Sequence, residues 1–305
     1  MSASPIPPAA ILAELESSGL VARGWSLEPA DGGLNNSVSF ALDPDGRRRL
    51  TVREVANPVR LAVERQALER LAGTPGVPRL RGVVGANLLV HDYAPGHVAP
   101  LAEATDAQLA ALARALAAIH AHTGDHYTIW PTIEPRHGTR AHCFSDRLAS
   151  CDHFASFHAG LPTALHERVH ALYARIAQLP LGATSWQGCT YSQLHGDASA
   201  GNILWHGDGV WLLDWEYARQ GDPAEELAYL LTEQSFPDER IDVLRDAYLA
   251  AGGLPGVWER LPAYLPLVVL DSALWWADYL RARDIEPARH AEVLGRLENV
   301  EWLLR

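Results

Sequence analysis

Lysine is missing from this chain of 305 residues, and Met1 is its only methionine. Every fixed positive charge is therefore arginine, and no lysine is present to grip an anion. We read the absence as a bias of coding rather than of chemistry. Cysteine is scarce as well: Cys143, Cys151 and Cys189 are the three, and none forms a CxxC pair. That spacing does not indicate a disulfide framework and makes reduced thiols the default. No apolar run approaches the ~18 residues of a membrane span. The opening MSASPIPPAAILAELESSGL has neither a basic leader nor a long apolar core, so no secretory signal is expected and the expected location is the cytoplasm. Positive charge is in deficit overall. A net charge of −12 disfavours nonspecific nucleic-acid binding and would draw in a cationic small molecule. There is no internal repeat and no low-complexity tract. The length suffices for a full core and for two lobes or domains.

What is present concentrates between Leu194 and Leu231, LHGDASAGNILWHGDGVWLLDWEYARQGDPAEELAYLL. His195-Gly196-Asp197 is followed by Asn202, five positions after the aspartate. An apolar run, Val210 to Leu213, delivers Asp214, Trp215 and Glu216, and Gly221-Asp222-Pro223 opens an apolar-periodic segment. Asp197 and Asn202 share a short loop, so both can face one cavity. Asp214 falls just past a strand, where its side chain meets solvent. Carboxylate and amide oxygens suit Mg²⁺, which keeps several waters and binds through one or two carboxylates plus substrate phosphates. Asp197 can then stay free of metal and accept a proton. This is the parts list of phosphoryl transfer, with a base aspartate and an Asn and an Asp for the metal, and it shares the skeleton of the protein-kinase signature.

The stretch resembles the aminoglycoside phosphotransferase and choline kinase superfamily, small-molecule relatives of the protein kinases. In that family His-Gly-Asp stands for His-Arg-Asp, and Asp-Trp/Phe-Glu/Asp for Asp-Phe-Gly, as His195 to Asp197 and Asp214 to Glu216 do here. Asp-Trp-Glu-Tyr-Ala, residues 214 to 218, particularly resembles the bacterial choline- and thiamine-kinase branches. The resemblance implies an α+β, bilobal protein-kinase-like fold, with a small β-rich N-terminal lobe for the nucleotide over residues 1–92. A larger, mostly helical catalytic and acceptor lobe would follow over 93–305. It implies ATP as co-substrate, Mg²⁺ on Asn202 and Asp214, and Asp197 as catalytic base. Gly33 and Asn35, in Gly-Gly-Leu-Asn-Asn, would cover the nucleotide. Arg53 falls where the superfamily places its phosphate-contacting lysine, and Glu64 matches the helix glutamate that pairs with that cation, with Glu69 as the competing candidate. Residues 88 to 96 resemble the hinge, with the carbonyl of His91 and the N–H of Tyr93 holding adenine. Trp275 and Trp276 resemble the tryptophan-bearing helix of choline kinases, and with Glu216 they are the candidate acceptor-binding residues. His195 and Asp222 read as structural, the latter as an N-terminal helix acid.

Around these residues the pattern predicts helices over 8–19, 58–73, 106–122, 162–179, 224–231, 238–251, 261–283 and 287–304, and strands over 38–42, 50–55, 79–84 and 87–91. Residues 123–160 read as loop. His120, His122 and His126 sit at spacings of two and four, a poor fit for metal on one helical face, and read as solvated or core histidines. The partners expected are a nucleotide and a small-molecule acceptor, with no nucleic acid and no membrane. The acceptor stays open between an aminoglycoside-like hydroxyl and a small cationic alcohol. Two other classes stay open: a pseudokinase that binds nucleotide without transfer, for which Arg53 is the warning sign, and a Mg²⁺-dependent hydrolase.

Overall fold

A computed structural model describes residues 6–30, 37–130, 132–151, 163–181, 190–233, 236–281 and 286–305. In chain order its elements run α1 (Pro8–Ser17), β1 (Ser26–Pro29), β2 (Ser37–Leu42), β3 (Arg48–Glu54), α2 (Pro58–Arg70), β4 (Leu80–Val84), β5 (Leu88–Asp92) and β6 (His97–Val98). They continue with α3 (Asp106–His120), β7 (Thr123–Gly124), α4 (Arg140–Ser150), α5 (Thr163–Ile176), β8 (Tyr191–Leu194), β9 (Ile203–His206) and β10 (Gly209–Leu212). The last are β11 (Arg219–Gly221), α6 (Pro223–Glu233), α7 (Ile241–Ala250), α8 (Val257–Arg281) and α9 (Glu286–Leu303). Two compact units result: Met1–Ala99 with Gly201–Ala218, and Pro100–Ala200 with Arg219–Arg305.

In the first unit an antiparallel sheet runs in the order β1-β2-β3-β5-β4. Side chains alternate across its central strand. Leu50 and Val52 join the core with Ile11 and Leu15 of α1, Ala41, Val84, Leu88 and Val90. Thr51 and Arg53 therefore take the opposite face. Ile11 and Leu15 are one helical turn apart and lie on one stripe of α1; Leu15→Ala would cost about 2–5 kcal/mol. α2 starts where Asn57 accepts the N–H groups of Val59 and Arg60, with Pro58 behind it. The hairpin β9–β10 pairs with β6 through Trp205 and Leu204. Gly96 makes that pairing possible. A Cβ there would lie 2.7 Å from the Trp205 carbonyl, and its φ of 153° also favours glycine.

In the second unit β11-β8-β7 form a small antiparallel sheet, and the rest is helical. α3 begins with a capping box in which Thr105 and Gln108 satisfy one another's backbone N–H groups. The expectation of loop over residues 123–160 misses α4, an 11-residue helix. Its cap is Thr139, paired with His142 in place of the usual Glu or Gln three residues on. α8 starts at Val257, four residues before the expected Leu261, and carries Pro262 and Pro266 inside it. Among the described residues no helix is long and apolar enough to cross a membrane.

Candidate active site

Strand alternation puts Arg53 on the sheet face away from the core, yet the residue is 5% exposed because acids enclose it. Its Nη1 bonds Glu64 of α2, and its Nη2 lies 2.7 Å from Asp214 Oδ1. Glu216 Oε2 is 3.9 Å from the same Nη2, and Glu216 Oε1 takes Arg60 Nη1 at 2.6 Å. Arg60 and Glu64 are four residues apart on α2, so both face this cluster. Arg60 also lies over the Tyr217 ring, 5.0 Å from its centroid. Glu69, the competing candidate, pairs at the surface with Arg65 instead.

Three carboxylates thus meet two guanidinium groups, leaving one surplus negative charge. The electrostatics follow from that imbalance. Burial works against the charge on Arg53, but Glu64, Asp214 and Glu216 outweigh it and hold the guanidinium protonated above its ordinary range. Burial pushes the Glu64 carboxyl up to about 7; Arg53 and the Trp215 N–H pull against this, and Asp214 and Glu216 add to it.

Asp214 is placed by the hairpin. The N–H of Leu213 donates to the carbonyl of Asn202 at 2.9 Å, so the backbones of the two metal candidates are tied together. Trp215 is buried, and its indole N–H donates to the Leu212 carbonyl at 2.9 Å. Asp214 itself has φ 65°, the one positive φ at a non-glycine among the described residues. Such a conformation costs about 1–3 kcal/mol and collects at functional positions. One carboxylate oxygen is committed to Arg53, and the side chain is 34% exposed. A half-open carboxylate and an amide oxygen, completed by waters and phosphates, fit what Mg²⁺ uses.

The hinge expectation needs correction. The Tyr93 N–H donates to the Arg49 carbonyl at 2.9 Å, so the sheet uses the amide assigned to adenine. The physical reason is register: Leu50 opposes Asp92, and the pairing runs one residue past the strand end. His91 is buried, and its Nδ1 bonds the Asp92 carbonyl at 2.8 Å. Burial pulls its imidazole down to about 4, so it is neutral at pH 7. Gly33 and Asn35 lie outside the described residues.

In the second unit, Asp197 Oδ1 accepts the Tyr229 hydroxyl of α6 at 2.9 Å. Burial and the neighbouring Asp197 charge push the Tyr229 phenol up, so it stays a donor. His195 is fully buried, and its Nδ1 takes the Asp197 N–H at 3.3 Å. The Gly196 N–H donates to Glu226 Oε1 at 2.7 Å, and Glu226 Oε2 bonds His120 Nε2 at 2.9 Å. His120 Nδ1 in turn meets the Tyr248 hydroxyl at 2.9 Å, so this histidine is a core group holding the loop from below. Burial works against the charge on Glu226, but His120, His195 and the Gly196 N–H hold its carboxyl below the usual range. Asp222 caps α6 through the Ala224 N–H at 3.1 Å and takes Arg260 by both oxygens, at 2.5 and 2.8 Å. Trp275 and Tyr279 stack with centroids 5.0 Å apart, and Trp276 stands edge-on to both. Glu216, expected to be acceptor-binding, is bonded in the first unit's ion cluster.

The sequence reading missed Arg60, Tyr229 and Glu226. Arg60 could have been found from its i, i+4 relation to Glu64. Nothing in the local pattern marks Tyr229 or Glu226, since their partners lie about thirty residues back along the chain.

The APH family model, described as the phosphotransferase enzyme family, matches residues 26–264. The chain belongs to the phosphotransferase enzyme family. Thiamine kinase of Escherichia coli O9:H4 (strain HS) is 33% identical over 86 residues, 28% of this chain and 31% of that protein. Thiamine kinase of Salmonella paratyphi A (strain ATCC 9150 / SARB42) is 29% identical over 175 residues, 48% of this chain and 59% of that protein. The chain thus aligns with about a third to three fifths of these relatives. Among solved structures, a choline/ethanolamine kinase family protein from Mesorhizobium loti gives a TM-score of 0.68 at 22% identity, covering 97% of this chain and 94% of that one. Macrolide 2'-phosphotransferase type I gives 0.63 at 21%, covering 97% and 98%. The likeness at these identities is one of fold. The fold of this phosphotransferase family member is protein-kinase-like, as expected from its sequence.

Proposed function

We propose that the protein transfers the γ-phosphoryl group of ATP to a hydroxyl of a small, cationic molecule, of the choline or thiamine type or an amino-sugar. The observation that carries this reading is the buried Arg53 held by Glu64 and by the half-open Asp214. A strand cation, a helix acid and the acid of the Asp-Trp-Glu triplet meet at one point, the constellation phosphoryl transfer needs around its phosphates. Arg53, whose planar fork suits phosphate, is shared in this structure between Glu64 and Asp214. Asn202 and Asp214 would hold Mg²⁺, which when bound neutralises charge on the transferring group. Asp197 accepts the proton of the acceptor hydroxyl as its oxygen bonds the γ-phosphorus. The bond from that phosphorus to the bridging oxygen breaks, and ADP leaves. Tyr229 fixes the Asp197 carboxylate through its Oδ1. His195 and Asp222 are structural in this reading.

The partners are a nucleotide and the acceptor; neither nucleic acid nor a membrane enters. The free, buried thiols of Cys143 and Cys151 suit the reducing cytoplasm, where ATP is supplied. The test measures ADP from ATP and Mg²⁺ with and without a panel of amino alcohols and amino-sugars. Acceptor-dependent ADP that falls by roughly 10²–10⁴-fold in Asp197→Asn, with nucleotide binding kept, is the expected result. ADP formed equally without acceptor would make the protein a hydrolase, and nucleotide binding with no turnover would make it a pseudokinase.

A further inference from the structure

An aromatic face beside a carboxylate is a seat for a cation, and the second unit builds one from Trp276 and Glu233. The seat is filled from within the chain. Arg296 of α9 places its guanidinium carbon 5.5 Å from the Trp276 ring centroid. Its Nη1 bonds Glu233 Oε2 and, at 2.7 Å, the Ser272 hydroxyl. Its Nε donates to Glu292 Oε1 at 2.8 Å. Ser272 closes the ring by donating to Glu233 Oε2 at 2.5 Å. The Glu233 side chain is 6% exposed, so water does little to neutralise it.

The position gives this cluster its interest. Glu233 lies four residues after Tyr229 on α6, on the same face and one turn along. The Tyr229 hydroxyl touches Asp197. The filled seat therefore includes a residue one helical turn along α6 from the tyrosine that holds the group read above as the base.

We propose that Arg296 is a resident cation in the Trp276–Glu233 seat and excludes quaternary ammonium head groups from it, which makes Arg296 a specificity-determining residue of the acceptor site. A quaternary ammonium has no N–H, so it cannot replace the hydrogen bonds that Arg296 gives Glu233, Ser272 and Glu292. To enter, it would have to leave the guanidinium without those acceptors. The tethered group also acts at a high effective concentration, against which a free ion competes poorly. Among the acceptors proposed above, those that carry their charge elsewhere than at Trp276, or carry it on groups with N–H bonds to give, are the ones admitted, which narrows that reading from choline toward amino-sugars. The inference rests on Asp197 as base only for calling this place the acceptor site.

The experiment titrates tetramethylammonium chloride into the nucleotide-free full chain, with sodium chloride at matched ionic strength, and follows tryptophan fluorescence and heat. Wild type is expected to show no saturable response. Arg296→Ala is expected to bind at least about tenfold more tightly than wild type, and Trp276→Leu in that background is expected to abolish the gain. Equal binding by wild type and Arg296→Ala, or no gain in a folded Arg296→Ala, overturns the proposal. Should Arg296→Ala not fold, the Arg296 Nε–H resonance of wild type decides. It stays fixed during the titration if the seat is occupied, and a saturable shift refutes the assignment. No turnover enters these measurements, so a failure of the transfer reading appears separately, as absent ADP in the acceptor panel.

Discussion

Asp214 in the first unit and Asp222 in the second stand eight residues apart, and both are bonded to arginine. They are otherwise opposites. Asp222 is unexposed, with both oxygens taken by one guanidinium fork and an N–H of its own helix. Asp214 has one oxygen bonded, a third of its side chain exposed, and a backbone in the left-handed region. The surroundings differ in the same sense. Arg140 stands 3.6 Å from Asp222 as a second cation, whereas Asp214 shares Arg53 with two other acids. A saturated, closed acid holds structure together. An acid left half-open in a charge surplus is held ready for something else, which in the proposed function is a metal ion and phosphates.

Substitution can break or sharpen that contrast. The largest expected effect is on Asp222→Ala, which strands the buried Arg260 and should cost about 3–5 kcal/mol in urea unfolding. A cost below ~1 kcal/mol, the range of surface ion pairs, would mean that the pair is not the closed structural element described. Asp214→Asn is the counterpart. It removes surplus charge, and its stability should stay within about 1 kcal/mol of wild type, while acceptor-dependent ADP formation is lost. A large fall in its melting temperature would erase the distinction between the two aspartates.

The pH dependence of the first unit comes next. The folded Glu64 carboxyl lies at about 7, above the ordinary 4.5. A group raised on folding adds stability that is complete below 4.5 and is lost as pH rises through about 7. Wild type should therefore lose stability relative to Glu64→Gln between about pH 5 and about pH 8. Parallel curves for the two proteins would show that Glu64 does not carry the surplus proton. The smallest effect is expected for Tyr229→Phe, which removes one hydrogen bond to Asp197, roughly 0.5–1.5 kcal/mol. Its kcat should fall several-fold with the KM for ATP unchanged, and the loss should vanish in an Asp197→Asn background. A change in KM alone would make Tyr229 a packing residue.

Legibility in the sequence followed the range of the interactions. The strands around Val52 and Val90, the helix beginning at Asp106 and the helix opening at Pro223 were readable because their causes lie within a turn or two of chain. Asp214 was singled out by its motif, Arg53 and Glu64 by the family resemblance, and the structure brings the three together in one cluster. α4 escaped because its capping partner is His142, which does not carry the usual signature. The adenine-facing assignment of the Tyr93 amide failed because strand register depends on a partner as far back along the chain as Arg49.

By itself, then, the sequence determined which residue types were on hand: no lysine, an aspartate five residues before an asparagine, an apolar strand ending in Asp-Trp-Glu, and turn residues where the chain must turn. Local chemistry is enough for that, since a cap, a strand period or a glycine acts over a few bonds. Tertiary structure alone decided how charge is shared, giving Arg53 three acids, Asp222 a full complement of partners, and Trp276 and Glu233 a guanidinium from another helix. Burial and pairing depend on chain segments tens to hundreds of residues apart, and no pattern along a single strand or helix encodes them.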